Sequence, residues 1–513
     1  MNGNKILKSA SIIMVLAVVC KGLGFLREVL TAQQYGAGMS TDAYFLASNI
    51  ITTLSTISIP IASTVIPMLM SVQERSGKEG KKYYTANLTN IVFVVTSVVV
   101  ILGAVLTPAI VNLMAYGFTQ EQHSLTVCIV RIGLPAIVLS AILGVFRGYL
   151  QSEGKFADTA FSDLILNFSY IVFLIVLAPF LSIQWMMVTM IVACFFRIAL
   201  QVVLLHGIGY RHRFILDIKD GDIRTTLMLI VPVFVSSLVN DLNGLIDKSF
   251  AAGLDTGTIS VLNYASKTNN AIMAIFITSL VTVLFPNLAS AAVKGDKHEF
   301  RDMVSGGLKA ILALTIPATV GLILLVEPVI KLAFERGAFD ATASKMTAEC
   351  LVFYSLGLVG MSLRTYLERA FYSAHDTKTP MINAVLAVII NVVLNVMLVQ
   401  VMQHRGLALA TSIAAITAAI GLIILLRKKV GAIGMLSVTK TGLKALLAAL
   451  MMGMSVVIGR YISSLYLNNT LLEILILGVT VCVGVIIYVA LMILMKEDIF
   501  MQGIRMLRSR FSR

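Results

Sequence analysis

Charge is scarce in this chain: only 13% of its 513 residues are Asp, Glu, Lys or Arg, against about a quarter in a soluble globular protein. Tryptophan occurs once and cysteine five times, and the cysteines show no CxxC spacing. Cys20, Cys128, Cys194, Cys350 and Cys482 all fall in apolar runs and are expected to be small core residues, neither disulfide partners nor zinc ligands. The six histidines form no metal-ligand pair, and no HExxH, GxSxG or GxxxxGK[ST] sequence occurs, so neither a hydrolase site nor ATP hydrolysis by the chain itself is expected. Polar stretches long enough for a soluble catalytic domain are also missing, the longest being about twenty residues. What is present in excess is apolar surface. Hydrophobic residues make up 58% of the chain, and its mean hydropathy is +0.92. A water-soluble enzyme, a disordered chain and a nucleic-acid-binding domain are thereby excluded, the last despite a net charge of +14.

At roughly 20 residues per membrane passage, the apolar residues suffice for on the order of fourteen transmembrane helices. Six candidates lie near 8–35, 42–72, 84–116, 122–150, 157–180 and 185–207, and six more near 225–252, 258–292, 303–334, 342–374, 379–402 and 406–427. A final pair lies near 440–465 and 470–495. The first segment has no small-residue cleavage site and is expected to remain as a span. Lys and Arg crowd alternate connections, among them Lys78, Lys81, Lys82, Lys155, Arg211, Arg213, Lys219, Lys294, Lys297 and Arg427, and the tail residues Arg505, Arg508, Arg510 and Arg513. The opposite connections hold only Arg336 and Arg405. Positive residues are retained on the cytoplasmic side, so both termini are expected there.

A weak internal repeat organises the spans. Gly24-Phe25-Leu26-Arg27 with Asp42 to Ser48 is echoed by Gly244-Leu245-Ile246-Asp247 with Val261 to Lys267, and Arg147-Gly148-Tyr149 by Arg369-Ala370-Phe371, both at an offset of about 220. The expected fold is therefore an all-α polytopic membrane protein: an N-lobe over 1–210, a C-lobe over 211–430, and a C-terminal helix pair over 431–513. With six helices per lobe, the two lobes keep the same orientation, a parallel repeat about the membrane normal that commonly encloses a central cavity.

Ionisable groups inside spans are costly and usually face a bundle interior or water. Lys21, Arg27 and Glu28 surround Gly22 and Gly24 in the first span, which suggests an irregular helix near a cavity. Lys21 and Arg27, about two turns apart, are expected on roughly the same side. Lys267 occupies the matching part of the second half, and three converging cations would suit a phosphate or pyrophosphate. Snorkelling to an interface, with Glu28 neutralising Arg27, is the plainer alternative. Arg131, Arg197 and Arg364 are lone charges that read as structural. Asp247, Asn391, Asn395 and Thr411 carry oxygens suited to a hard cation such as sodium, or else to interhelical hydrogen bonds. His375-Asp376 lies in a polar connection and reads as a solvated turn.

Lys21-Gly-Leu-Gly-Phe-Leu-Arg-Glu28, followed by Gly36-Ala-Gly-Met-Ser-Thr-Asp-Ala-Tyr-Phe45, resembles the N-terminal signature of the bacterial lipid II flippases, the MurJ/MviN family. Phe334-Glu-Arg-Gly-Ala-Phe339 resembles that family's outer-face turn, and Arg369 to Tyr372 with Asp376 to Pro380 its loop before the eleventh helix. The resemblance runs from about residue 8 to 430 and implies membership of the multidrug/oligosaccharidyl-lipid/polysaccharide exporter superfamily. It implies two lobes around a cationic cavity, a lipid-facing groove at the last helix pair, and transport by alternating access in the bacterial inner membrane. It also implies substrate-binding roles for Lys21, Arg27 and Lys267, gating roles for Asp42 and Glu28, and a sodium site at Asp247, Asn391, Asn395 and Thr411. The family pattern has Arg at two of the three cation positions, a further arginine where this chain has Ser55, and allows a carboxylate where it has Asn395.

The implied substrate is lipid II, the undecaprenyl-pyrophosphate-linked peptidoglycan precursor, with membrane lipids and cell-wall synthesis proteins as partners and no nucleic acid. No cofactor is required on this reading, and coupling would come from sodium or the membrane potential. Another undecaprenyl-linked saccharide, of capsule or exopolysaccharide, is the alternative cargo that Ser55 keeps open. A drug or cation antiporter, a polyprenyl-phosphate transferase and a non-transporting scaffold are the remaining alternatives.

Overall fold

Backbone that crosses lipid has no water to bond to, so it must close its hydrogen bonds within the segment, as a helix does. The computed structural model describes residues 3–274, 277, 279–294, 296–464 and 470–501, and among them no strand occurs. The helices of the first half are α1 (Gly3–Tyr35), α2 (Met39–Ser55), α3 (Ser58–Met114), α4 (Gln120–Gly133), α5 (Pro135–Ser152), α6 (Phe156–Val176), α7 (Gln184–Gly207) and α8 (Gly221–Ala251). Then come α9 (Thr258–Met273), α10 (Ser279–Val293), α11 (Lys297–Phe334), α12 (Ala341–Leu356), α13 (Leu358–Ser373), α14 (Lys378–Met402), α15 (His404–Val430), α16 (Met435–Ser464) and α17 (Thr470–Leu494). The tail arginines Arg505, Arg508, Arg510 and Arg513 lie outside the described residues.

Among the described residues, nine helical stretches are long and apolar enough to cross a membrane, ten if the bent pair α12 and α13 is one passage. The first of them covers α2 and α3 together and turns at Gly77, whose φ of 65° interrupts the helix. About fourteen passages are compatible with this set. The repeat is visible in how helices break and pack. One passage is interrupted at Leu134, between α4 and α5, and another at Gly357, between α12 and α13. In the same register α5 and α6 both pack on α7, and α13 and α14 both pack on α15.

Packing divides the chain into two compact units, Met1–Tyr264 with Phe334–Ala343, and Ala265–Ala333 with Ser344–Arg513. In the first, Val65, Leu69, Tyr84, Phe146, Tyr149 and Tyr210 form the centre of a core shared by α3, α5, α7 and α8. The second has one core around Val304, Leu308, Tyr366, Phe371 and Leu422, and another where α16 and α17 meet α11. Three of the cysteines depart from expectation, Cys20 being only half-buried. Cys128 and Cys482 are exposed rather than buried, since each lies on an outward helix face whose apolar partners would be lipid.

Prolines inside helices explain several of the helix contacts. Proline has no N–H to give to the carbonyl four residues earlier, and a carbonyl so freed in an apolar setting needs another donor. In α11, Pro317 releases Ala313 and Pro328 releases Leu324. Tyr488 of α17 donates its hydroxyl to Ala313 O at 2.7 Å, and Arg460 of α16 donates Nη1 to Leu324 O at 2.7 Å. Pro108 of α3 likewise releases Ala104, whose oxygen accepts from Arg131 Nε of α4 at 3.2 Å. The last helix pair is thus tied to α11 at carbonyls that proline leaves open. Tyr488→Phe is expected to cost about 1–3 kcal/mol in unfolding of the purified protein. The cost should largely vanish in a Pro317→Ala background, where the helix can satisfy Ala313 itself.

Candidate functional site

The helix α1 is regular through Gly22 and Gly24, so the irregularity expected there does not occur. Glycine is tolerated in a membrane helix because its hydrogen bonds stay internal. A Cβ on Gly22 would meet nothing within 4 Å, while Asn167 of α6 reaches α1 and donates to Cys20 O at 3.3 Å. Six residues at about 100° each separate Lys21 from Arg27 by about 120° around the helix, so the two do not share a side. Lys21 is exposed. Arg27 is held: its Nη2 bonds Glu28 Oε1 at 2.7 Å, and its guanidinium lies 5.0 Å from the centre of the Tyr170 ring on α6. This cation–π contact adds to the ion pair. Glu28, 4% exposed, also accepts from Asn263 Nδ2 of α9 at 3.2 Å. Glu28 therefore joins Arg27 to the start of α9.

Asp42 closes the same region from α2. It is 2% exposed, and its carboxylate accepts from Gly257 N at 2.5 Å, Ser260 N at 2.8 Å and Ser260 Oγ at 2.6 Å. A carboxylate on the first N–H groups of a helix satisfies donors that have no partner within the helix and complements its dipole. The chain must come very close for this. Gly257 has φ 94°, and a Cβ there would sit 2.9 Å from Ala37 O. Beside it Tyr264 donates its hydroxyl to Gly36 O at 3.1 Å. Its ring meets Phe45, Phe334 and Phe339 at centroid distances of 5.3, 5.3 and 5.4 Å. The turn after α11 is fastened too: Ala338 N donates to Gln33 O at 2.8 Å, and Gly337, at φ 61°, would place a Cβ 2.3 Å from that oxygen. The end of α1, the start of α2, the start of α9 and this turn form one closed plug.

Asp163 of α6 escaped the sequence reading, although an acidic residue inside a span is itself a signal. It takes Arg147 Nη2 of α5 at 2.6 Å and Arg197 Nη2 of α7 at 2.5 Å. Arg197 is therefore not a lone charge, nor is Arg364, whose Nε bonds Glu368 at 2.8 Å. Asp376 is no acid/base partner for His375. Lys429 at 2.7 Å, with the Thr379 backbone and hydroxyl, holds its carboxyl at about 2.

The second unit holds Lys267, exposed on α9, and the amide group of α14 and α15. Asn395 Nδ2 donates to Asn391 Oδ1 at 3.0 Å, and Asn391 Nδ2 to Thr411 Oγ1 at 3.4 Å. The structure thus brings Asn391, Asn395 and Thr411 together. Asp247, 9% exposed on α8, belongs to the first unit. Among the described residues no group of three or more His, Cys, Asp or Glu is placed to hold a metal ion. The donors of the amide group are neutral oxygens, a set that a hard monovalent cation can use. Ser55, at the C-terminal end of α2, is buried, and its Oγ has no hydrogen-bond partner among the described residues.

Comparison with known proteins follows the same lines. The family model described as lipid II flippase MurJ matches residues 31–499. A probable lipid II flippase MurJ of Rickettsia prowazekii is 28% identical over 508 residues, covering 95% of this chain and 97% of the relative. The lipid II flippase MurJ of Burkholderia cenocepacia is 26% identical over 419 residues, covering 79% and 81%. Among solved structures, an inward closed lipid II flippase MurJ shares the fold with a TM-score of 0.78 at 24% identity, covering 95% of this chain and 99% of that one. An inward-facing multidrug transporter of the MATE family superposes at 0.64 with 14% identity, covering 81% and 95%. With its family model matched over most of its length, the chain belongs to the lipid II flippase MurJ family.

Proposed function

We propose that this protein moves lipid II from the inner to the outer leaflet of the bacterial cytoplasmic membrane by alternating access. It is a transporter and not an enzyme, in keeping with a family of flippases. The observation that carries the assignment is Arg27. A guanidinium on the long helix α1, fixed by Glu28 and the Tyr170 ring and still 23% exposed, keeps further N–H groups for an anion. On this reading Arg27 grips the pyrophosphate of the head group, and Lys21, from another side of α1, and Lys267 add only longer-range positive charge without the planar, bidentate geometry of arginine. The lipid tail stays in the bilayer. The crowding of Lys and Arg in alternate connections supports cytoplasmic termini, which puts the plug of Asp42, Tyr264 and Phe334 at the outer face. The plug then closes the outer end while the cargo loads from inside.

Coupling is assigned to sodium or to the membrane potential, and flipping measured with and without a sodium gradient at fixed potential separates the two. The reading as a whole is tested by complementation. The wild-type chain should rescue a bacterium depleted of its own lipid II flippase, and movement of labelled lipid II in proteoliposomes should depend on the chain. A correctly inserted wild type that does neither would overturn the assignment.

A further inference from the structure

Arg131 offers more than its structural duty requires. The Ala104 carbonyl freed by Pro108 needs one N–H, and Arg131 Nε supplies it. Glutamine or serine could do as much at lower cost, because a guanidinium inside a span carries an insertion penalty of a few kcal/mol. The two Nη groups remain, and none of the ion pairs formed by the described residues includes Arg131. Beside it lies a groove of about 490 Å³ between α3 and α4, lined by Pro108, His123, Ser124, Val127, Cys128, Arg131 and Ile132. Positions 123, 124, 127, 128 and 131 fall on one face of α4. Helix side chains lean toward the N-terminus, which turns the guanidinium along this groove toward His123. No acidic side chain lines it.

His123 adds a second sign of an absent partner. Its Nε2 is buried and has no hydrogen-bond partner among the described residues, an arrangement that costs about 1–3 kcal/mol unless an acceptor or donor arrives. The surroundings decide what kind of anion this is. The neighbouring face of α3 exposes Ile101, Leu102, Val105 and Leu106, an apolar surface suited to acyl chains. An anion reaching Arg131 across such a surface must bring tails of its own.

We propose that the groove between α3 and α4 binds the phosphate of an anionic phospholipid, from the leaflet on the side of the α3–α4 connection. Arg131 supplies the charge, His123 and Ser124 the polar end of the groove, and α3 the wall along which the tails lie. The site is separate from the transport residues and stands whether or not lipid II is the cargo.

The test is native mass spectrometry of the delipidated full chain in neutral detergent, titrated with phosphatidylglycerol, with phosphatidylcholine or with inorganic phosphate. Wild type should retain one phosphatidylglycerol more than Arg131→Gln, with about tenfold weaker binding of that lipid in the variant, and should prefer it to phosphatidylcholine. Arg131→Gln keeps an amide N–H for the Ala104 carbonyl, but so that a shifted α3–α4 contact is not read as lost lipid binding, the decisive pair is Pro108→Ala with and without Arg131→Gln. In both of these α3 can bond Ala104 itself. The single variant should keep the lipid and the double variant lose it. Equal retention by that pair overturns the site. Displacement of the lipid by inorganic phosphate alone would overturn its assignment to a phospholipid in favour of a free anion.

Discussion

Arg27→Ala is expected to abolish transport while leaving the protein inserted at normal levels. In complementation it should fail to support growth, and in proteoliposomes the movement of labelled lipid II should fall to the protein-free background. The size of the effect follows from what the side chain does. Removing one member of a desolvated, hydrogen-bonded charge pair costs about 2–5 kcal/mol, which is roughly thirty- to several-thousandfold in an equilibrium, and here the lost member is also the proposed grip on pyrophosphate. Part of that cost would come from Glu28, 4% exposed and bonded to Asn263, which loses the Arg27 guanidinium. The double variant Arg27→Ala with Glu28→Gln separates the two contributions. Glutamine can still accept from Asn263 and carries no charge to balance, so if the defect came only from the Glu28 carboxylate losing Arg27 the double variant would transport. It is expected to remain inactive. Arg27→Lys should retain a fraction of the activity, because the charge persists without the two-pronged geometry. Normal flipping by a well-expressed Arg27→Ala protein would remove Arg27 from the site.

Much of the architecture was legible in the sequence because a membrane imposes a length and a composition on each passage. The apolar runs fall on the helices, and the offset of about 220 reappears in the break at Leu134 and its counterpart at Gly357. What was not legible depends on partners far apart in the chain. Asp42 could be singled out from its motif, but nothing near it announces that its partners are Gly257 and Ser260. Arg197 looked solitary because Asp163, which pairs it with Arg147, lies on another helix. Spacing misleads at Lys21 and Arg27, since about two turns suggests alignment although six residues leave about a third of a turn between them. The glycines beside them invited an irregular helix, and an unbroken one formed because glycine in lipid keeps its backbone bonds. Prolines carry a further cue. Each of Pro108, Pro317 and Pro328 marks a carbonyl four residues earlier, and each of those carbonyls is met by Arg131, Tyr488 or Arg460 from another helix.

Asp42→Asn should open the plug and, through that, reduce transport by an order of magnitude or more. The carboxylate accepts three hydrogen bonds from the start of α9, one oxygen taking Gly257 N and the other taking Ser260 N and Oγ. An asparagine can place its oxygen toward Ser260 only by turning its NH2 toward the N–H of Gly257, so donor faces donor. Hydrogen bonds to charged groups contribute about 1.5–3 kcal/mol each, and losing one while weakening two others removes several kcal/mol from the closed form alone. Shifting a two-state equilibrium from 1:99 to 99:1 takes about 5.5 kcal/mol, so a loss of this size is enough to move the plug from mostly closed to substantially open. The readout is alkylation of a cysteine placed at Ala43, which is 0% exposed beside Asp42, by a membrane-impermeant maleimide, in a background with Cys128 and Cys482 replaced by alanine. Labelling should be slow in the parent and at least about tenfold faster with Asp42→Asn. On the proposed reading transport falls because alternating access requires both end states, and a chain that cannot keep the plug closed cannot hold the state that loads the cargo. Asp42→Glu supplies the control: it keeps the charge, but its extra methylene shifts the carboxylate from oxygens already 2.5 Å from Gly257 N and 2.8 Å from Ser260 N, so it should label at an intermediate rate. Equal labelling of parent and Asp42→Asn, with transport lost, would place the role of Asp42 elsewhere than in closing the plug.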